Sequence, residues 1–232
     1  MGTVTTEALP SDLLADLGLA ETPRPERLLT VTLVRFTPNV AVVRPRHPRP
    51  GDPEEMLMPV HEFFPDLAWA VGEDYVVEIV DEAPRPIVST NRPSLVRLLL
   101  EGLCPAVRDG RVRVMGVARQ PGVRAKVAVA ATVPELDPVQ RVIGPGGFRT
   151  RRLAVPLRGE RLDVVLYDPD PIEYLRRAFA PARVESVRVE GPRQAVVLVA
   201  AHQMASAVGQ GGLNTTLAGR ITGWRVTVER AD

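Results

Sequence analysis

Aromatic side chains are scarce: five Phe, three Tyr and two Trp make up 4% of the 232 residues. A protein that holds nucleic acid by stacking successive bases on rings would have little to stack on here. Apolar contact has to come from Val, Leu, Ala and Ile. Cysteine is reduced to Cys104, which excludes an intramolecular disulfide and a Cys-rich zinc site, suits a reducing compartment and reads as a small buried residue on a helix. The histidines His47, His61 and His202 lie far apart without paired metal spacing, so no metal site is expected. No apolar run reaches about 18 residues and no signal-peptide pattern opens the chain, so neither a membrane span nor a secretory leader is readable, and a cytoplasmic location is expected.

Catalytic patterns are missing as well. Ser206 lies in MASAVG, outside any strand-to-helix G-x-S-x-G elbow. The glycine turns do not match G-x-x-x-x-G-K-[ST], which removes support for nucleotide hydrolysis. Asp163, Asp168, Asp170 and Glu173 could be imagined as a carboxylate cluster, but helix capping by Asp170 and Glu173 is the simpler account. The expectation is a non-enzyme with no cofactor and no small-molecule substrate.

What is present is an uneven charge. The net charge is only +1, yet residues 1–107 carry 9 basic against 16 acidic groups, net −7. Residues 108–167 carry 12 against 5, net +7, and residues 168–232 carry 8 against 7. The middle segment is therefore the candidate surface for a polyanion. All but one of the 29 basic residues are arginine, which reads as a compositional trait.

Residues 1–27 hold one helical candidate, SDLLADLGLA with Ser11 as its cap, and a Pro-rich linker. From 28 to 92 the pattern is of five short strands, LLTVTLVRF, NVAVVRP, MLMPV, DYVVEIVDE and PIVST, separated by Pro, Asn, Gly and Asp. Five strands in that length suggest a small OB-type barrel. The Pro-rich RPRHPRPGDPEE between the second and third is a surface loop. The period turns helical at Pro93 in PSLVRLLLEGL. Two strands, RVRVMGVARQ and RAKVAVAAT, follow, joined by a Pro-Gly turn at residues 120–123.

Asp137-Pro138-Val139-Gln140 then opens a helix with a capping Asp and proline at its first position. It stops at GPGG. A second helix starts near Phe148, shortened by Pro156, and the strand ERLDVVLYD closes the unit. From Asp170-Pro171 the whole order recurs: helix, strand, strand, helix, glycine turn, helix, strand. This is an internal duplication of a small α+β unit, 93–167 and 168–232. Trp69 and Trp224 read as core or seam residues.

In VIGPGGFRTRR and again in AVGQGGLNTT, Gly144 and Gly147 have counterparts in Gly209 and Gly212. A GxxG corner between two short helices lets another backbone come close, because glycine has no Cβ and tolerates positive φ. The helix that follows offers free N–H groups and the favourable end of its dipole to an anion. In KH modules such a loop clamps about four nucleotides of a single strand.

The runs RVMGVARQPGVRAKVAVAA, GPGGFR, RGERLDVVLYDPDPIEYLRRAFAPARV and AVGQGGLNTTLAGRITGW resemble the NusA family of bacterial transcription termination and antitermination factors. The resemblance spans 93–232 as a tandem KH pair and, less closely, 28–92 as an S1-type barrel. It implies an α+β chain with a β-barrel: an S1-type OB-fold barrel followed by two tandem type II (prokaryotic) KH domains. It also implies single-stranded RNA as partner, with RNA polymerase or other transcription factors as further candidates. The RNA-binding residues expected are Gly144, Pro145, Gly146, Gly147, Phe148, Arg149, Arg151, Arg152, Arg124 and Lys126 in the first copy. In the second they are Gly209, Gln210, Gly211, Gly212 and Asn214.

Three departures from the family stand out. Only residues 1–27 precede the barrel, where the family carries a polymerase-docking domain, and the chain stops at Asp232 without the acidic repeats of some members. The family's usual Arg at position 146, Lys at 210 and Glu at 211 are replaced by Gly, Gln and Gly. A rival reading follows from this: a divergent paralogue with weak RNA affinity that serves as a protein-interaction scaffold.

Overall fold

The structure, a computed structural model, describes residues 27–48, 50–63, 69–82 and 84–231. The helix expected at residues 11–20 lies outside them. Contacts divide the chain into two bodies. One runs to Leu103 and includes Val155–Arg158; the other comprises Cys104–Ala154 and Gly159 onward.

The first body is a closed five-stranded barrel. Its strands are β1 (Leu28–Phe36), β2 (Val40–Pro45), β3 (Met56–Pro59), β4 (Asp74–Asp81) and β5 (Ile87–Ser89), hydrogen-bonded in the order β1-β2-β3-β5-β4 and closing on β1. All contacts are antiparallel except β3 with β5. Val31, Leu33, Val43, Met56, Met58, Val77 and Val88 fill the interior. Trp69 stacks on Tyr75 at 4.3 Å between centroids and lies 5.1 Å from Phe63, so these rings pack with the barrel's core. Helix α1 (Pro93–Leu103) follows, its start held by Ser94 Oγ donating to Glu78 at 2.6 Å.

The second body contains two copies of one α+β unit. In the first, short helix α2 (Pro105–Arg108) leads into β6 (Val112–Gln120), β7 (Arg124–Ala131) and β8 (Arg161–Leu166), with β7 central, antiparallel to β6 and parallel to β8. The β6–β7 hairpin closes at the expected turn: Val123 N–H donates to Gln120 O at 3.0 Å and Gly122 takes φ +73°. Glu160 anchors that turn from inside. It accepts from the buried Arg119 at 2.6 Å and from Gly122 N–H at 3.0 Å. Cys104 is buried, between α1 and α2 rather than within a helix.

Helices α3 (Pro138–Ile143) and α4 (Phe148–Ala154) pack on this sheet. Asp137 caps α3, accepting from Val139 N–H and Gln140 N–H at 2.9 and 3.0 Å. Helix α4 ends two residues before Pro156, since the residue preceding a proline is pushed out of helical backbone.

The second copy repeats the order: α5 (Pro171–Ala178), β9 (Ser186–Gly191), β10 (Gln194–Val199), α6 (Met204–Val208), α7 (Leu213–Thr222) and β11 (Arg225–Arg230). Its sheet is β11-β10-β9, with β10 parallel to β11 and antiparallel to β9. Leu175, Phe179, Val197, Val199, Ala207 and Ala218 form the core.

Helix α7 of the second copy lies on β6 and β7 of the first. Ile221 packs at the seam against Gly116, where an added Cβ would stand in ordinary contact with it at 3.4 Å. Tyr174 Oη donates to Ile221 O at 3.2 Å. Lys126, fully buried in central strand β7, reaches across to Ala180 O at 2.6 Å and to Asp163 at 3.2 Å.

Candidate nucleic-acid interface

The two glycine corners have the same backbone. Gly144 sits at φ 74°, ψ 170° and Gly209 at 75°, 166°; Gly146 sits at 55°, 23° and Gly211 at 58°, 23°. Crowding requires the first glycine of the second corner, where a Cβ at 209 would lie 2.7 Å from the Asn214 backbone nitrogen. At 144 a Cβ would meet the movable Arg149 guanidinium at 2.9 Å, and the positive φ is what favours glycine. Each apex glycine faces open space instead, with nothing within 4 Å of where its Cβ would be. These apices are exposed left-handed positions that a second backbone can approach.

Several amides expected to be free are not. Gly147 N–H donates to Gly144 O at 3.0 Å and Phe148 N–H donates to Pro145 O. Gly212 N–H donates to Gly209 O at 3.1 Å and Leu213 N–H to Gln210 O. These bonds hold the corners tight. Pro145 has no N–H at all, whereas Gln210 carries one at the equivalent place.

The side chains around the first corner divide into distinct roles. Arg149 folds back to donate to Arg141 O at 2.8 Å, which caps the end of α3. Arg151, exposed, lies over the corner and donates to Gly146 O. Arg152 rests 5.2 Å over the Phe148 ring, itself 51% exposed. Arg124 pairs with Asp163 in a bidentate bond, its Nε and Nη2 donating to the two carboxylate oxygens at 2.7 and 3.0 Å.

Two expected contacts are corrected. Lys126 is buried, and burial lowers the pKa of its ammonium against the upward pull of Asp163. It ties strand to seam and is no phosphate contact. Asn214 is also buried, donating to Phe179 O and Ala207 O at 3.1 and 3.0 Å. It caps the end of α6 from the position that Arg149 holds in the first copy. The four carboxylates weighed as a cluster are likewise accounted for. Asp163 pairs with Arg124 and Lys126, Asp168 with Arg177, and Glu173 with Arg176 and Arg177, while Asp170 caps α5.

A groove beyond the expected site residues accompanies the second corner. Beside the second corner an open cleft of about 670 Å³ runs between α7 and β11, lined among others by Gly212, Thr216, Arg220, Trp224 and Val226. Its signal was the exposed i, i+4 pair Thr216 and Arg220 facing a strand that alternates half-buried valines with exposed residues. Gly219 lets α7 approach, since a Cβ there would meet Trp224 O at 2.7 Å.

Residues 90–167 match the NusA-like first KH domain and residues 171–232 the NusA-like second KH domain. The chain is 34% identical over 181 residues to the transcription termination/antitermination protein NusA of Halalkalibacterium halodurans, covering 75% of this chain and 47% of that protein. It is 37% identical over 181 residues to NusA of Mycobacterium bovis, covering 75% and 52%. Against NusA of Thermus thermophilus it is 33% identical over 184 residues, covering 77% and 48%. The chain thus spans about half the length of the curated relatives it matches. With both NusA-type KH domains present in order behind a closed OB-like barrel, the chain belongs to the NusA-like family.

Proposed function

We propose that this chain binds single-stranded RNA through its two glycine corners and acts, without catalysis, in bacterial transcription elongation, termination or antitermination. The carrying observation is the corner made twice with matching backbone angles and an open apex. A phosphate at each corner would meet the apex amides and the amino end of the following helix. In the first corner Arg151 supplies the cation absent from position 146. Its counterpart in the second is Thr216, so the second corner holds RNA by main-chain groups and the groove beside it.

RNA polymerase or other transcription factors are proposed as further partners, on the likeness to transcription termination/antitermination proteins alone. The scaffold reading draws on a specific observation too: Arg149, Lys126 and Asn214 are all engaged inside the protein.

A fluorescence-anisotropy titration with mixed-sequence single-stranded RNA, repeated at several salt concentrations, decides between the readings. Gly147→Asp places a carboxylate at the corner and is expected to lower affinity at least tenfold with a cooperative melt retained. Affinity unchanged by that substitution, or no RNA binding in the parent, favours the scaffold.

A further inference from the structure

We propose that the seam between the two KH modules is a nucleotide-binding pocket, with the base held among Tyr167, Tyr174 and Trp224 and the phosphate on Arg193. The seam holds a half-open cavity of about 440 Å³ whose walls include these four residues, Met115 and Ile221. That volume lies within the range of small-ligand sites.

Three observations give the cavity its chemistry. First, the chain has only three tyrosines and two tryptophans, yet two of the former and one of the latter meet here. The Tyr167 and Tyr174 rings stand edge to face at 5.0 Å; Tyr174 is buried, which leaves the half-buried Tyr167 and Trp224 to offer stacking faces in a chain otherwise poor in them. Second, Arg193 is exposed, forms no ion pair among the described residues, and holds φ +53°, a conformation that costs a non-glycine residue energy. Its guanidinium lies over Gly223, 2.8 Å from where a Cβ would sit, so glycine at 223 leaves its seat open. Third, the carboxylate on the wall, Asp168, is already neutralised by Arg177 at 2.9 Å, so an incoming anion is not repelled.

A flat ring beside one unpaired cation fits a nucleotide better than a purely apolar group. The nucleotide can be free, or it can be one unit of a bound strand, and the second case rests on the RNA reading above. Trp224 lines both this cavity and the groove beside Gly212, so a strand in that groove passes the seam.

The test is quenching of tryptophan fluorescence by AMP, by adenosine and by a short oligoadenylate, with Trp224→Phe assigning the signal to the seam. AMP is expected to bind about tenfold more tightly than adenosine, the worth of one charge-assisted hydrogen bond. Arg193→Asn should erase that difference, since asparagine accepts the left-handed backbone without the charge. Met115→Glu, at an exposed strand position, should weaken both. Quenching by AMP identifies a free nucleotide, and quenching by the oligomer alone identifies a strand. No Trp224 quenching by either, or equal affinities for AMP and adenosine, overturns the proposal. If Gly147→Asp still lowers RNA affinity at least tenfold in that case, the RNA reading stands without the seam.

Discussion

Glycines 209 and 211 belong to one corner but answer to different physics. At 211 a methyl group meets nothing and only the left-handed backbone is penalised, so Gly211→Ala should cost about 1 kcal/mol. At 209 the methyl would meet the backbone of Asn214, and Gly209→Ala should cost clearly more, on the order of 3 kcal/mol. Urea denaturation of the two variants checks the order; equal losses would remove the crowding argument. Charge at the corner is tested by exchange. Arg151→Thr should flatten the slope of log affinity against log salt by about 0.7, and Thr216→Arg should steepen it by about the same amount. The glycines and arginines were readable as a candidate clamp, whereas Lys126 and Asn214 were misread as parts of it. The missed signal for Lys126 is that Ala125, Val127, Ala128 and Val129 around it are all buried. A strand apolar on both faces is covered on both faces, and a lysine within it needs an internal partner.

At the scale of elements, local chemistry made the boundaries legible. Asp-Pro opens α3 and α5, glycine ends α3 and α6, and proline keeps α4 to seven residues. Asp137→Ala removes the acceptor for two amides and should lower stability by about 1 kcal/mol in a thermal or urea melt, without altering RNA affinity beyond that loss. The barrel strands were legible through alternation. Their pairing was not, because β3 meets β5 in parallel although β4 comes between them in the chain, and nothing local encodes that partnership. The fates of Arg149 and Arg151 were equally hidden: two cations two positions apart on one helix point to different carbonyls.

For the molecule as a whole, the division of charge seen in the sequence has a counterpart in acid stability. Glu55 of the barrel has its pKa lowered from the usual 4.5 to about 2, first by its hydrogen bonds to Arg35 and also by Arg44. A carboxylate with a depressed folded-state pKa stabilises above its unfolded value and loses that contribution as pH falls toward the folded one. The barrel should therefore weaken between pH 4.5 and about 2, and Glu55→Gln should flatten that part of a pH-dependent melt, modestly because the pair is exposed to solvent. The duplication was legible because each copy repeats a local order; the seam joining the copies was not, since it brings together residues as distant in the chain as Gly116, Tyr174 and Ile221. The geometry of the twin corners is shared while only the first has a guanidinium over its apex, the second having Arg220 in the groove beside it, and cationic contact is what displaces counterions from a phosphodiester chain. Raising ionic strength should then shift the point of firmest attachment from the amino-terminal clamp toward the carboxy-terminal one, giving the bound strand a salt-tunable polarity.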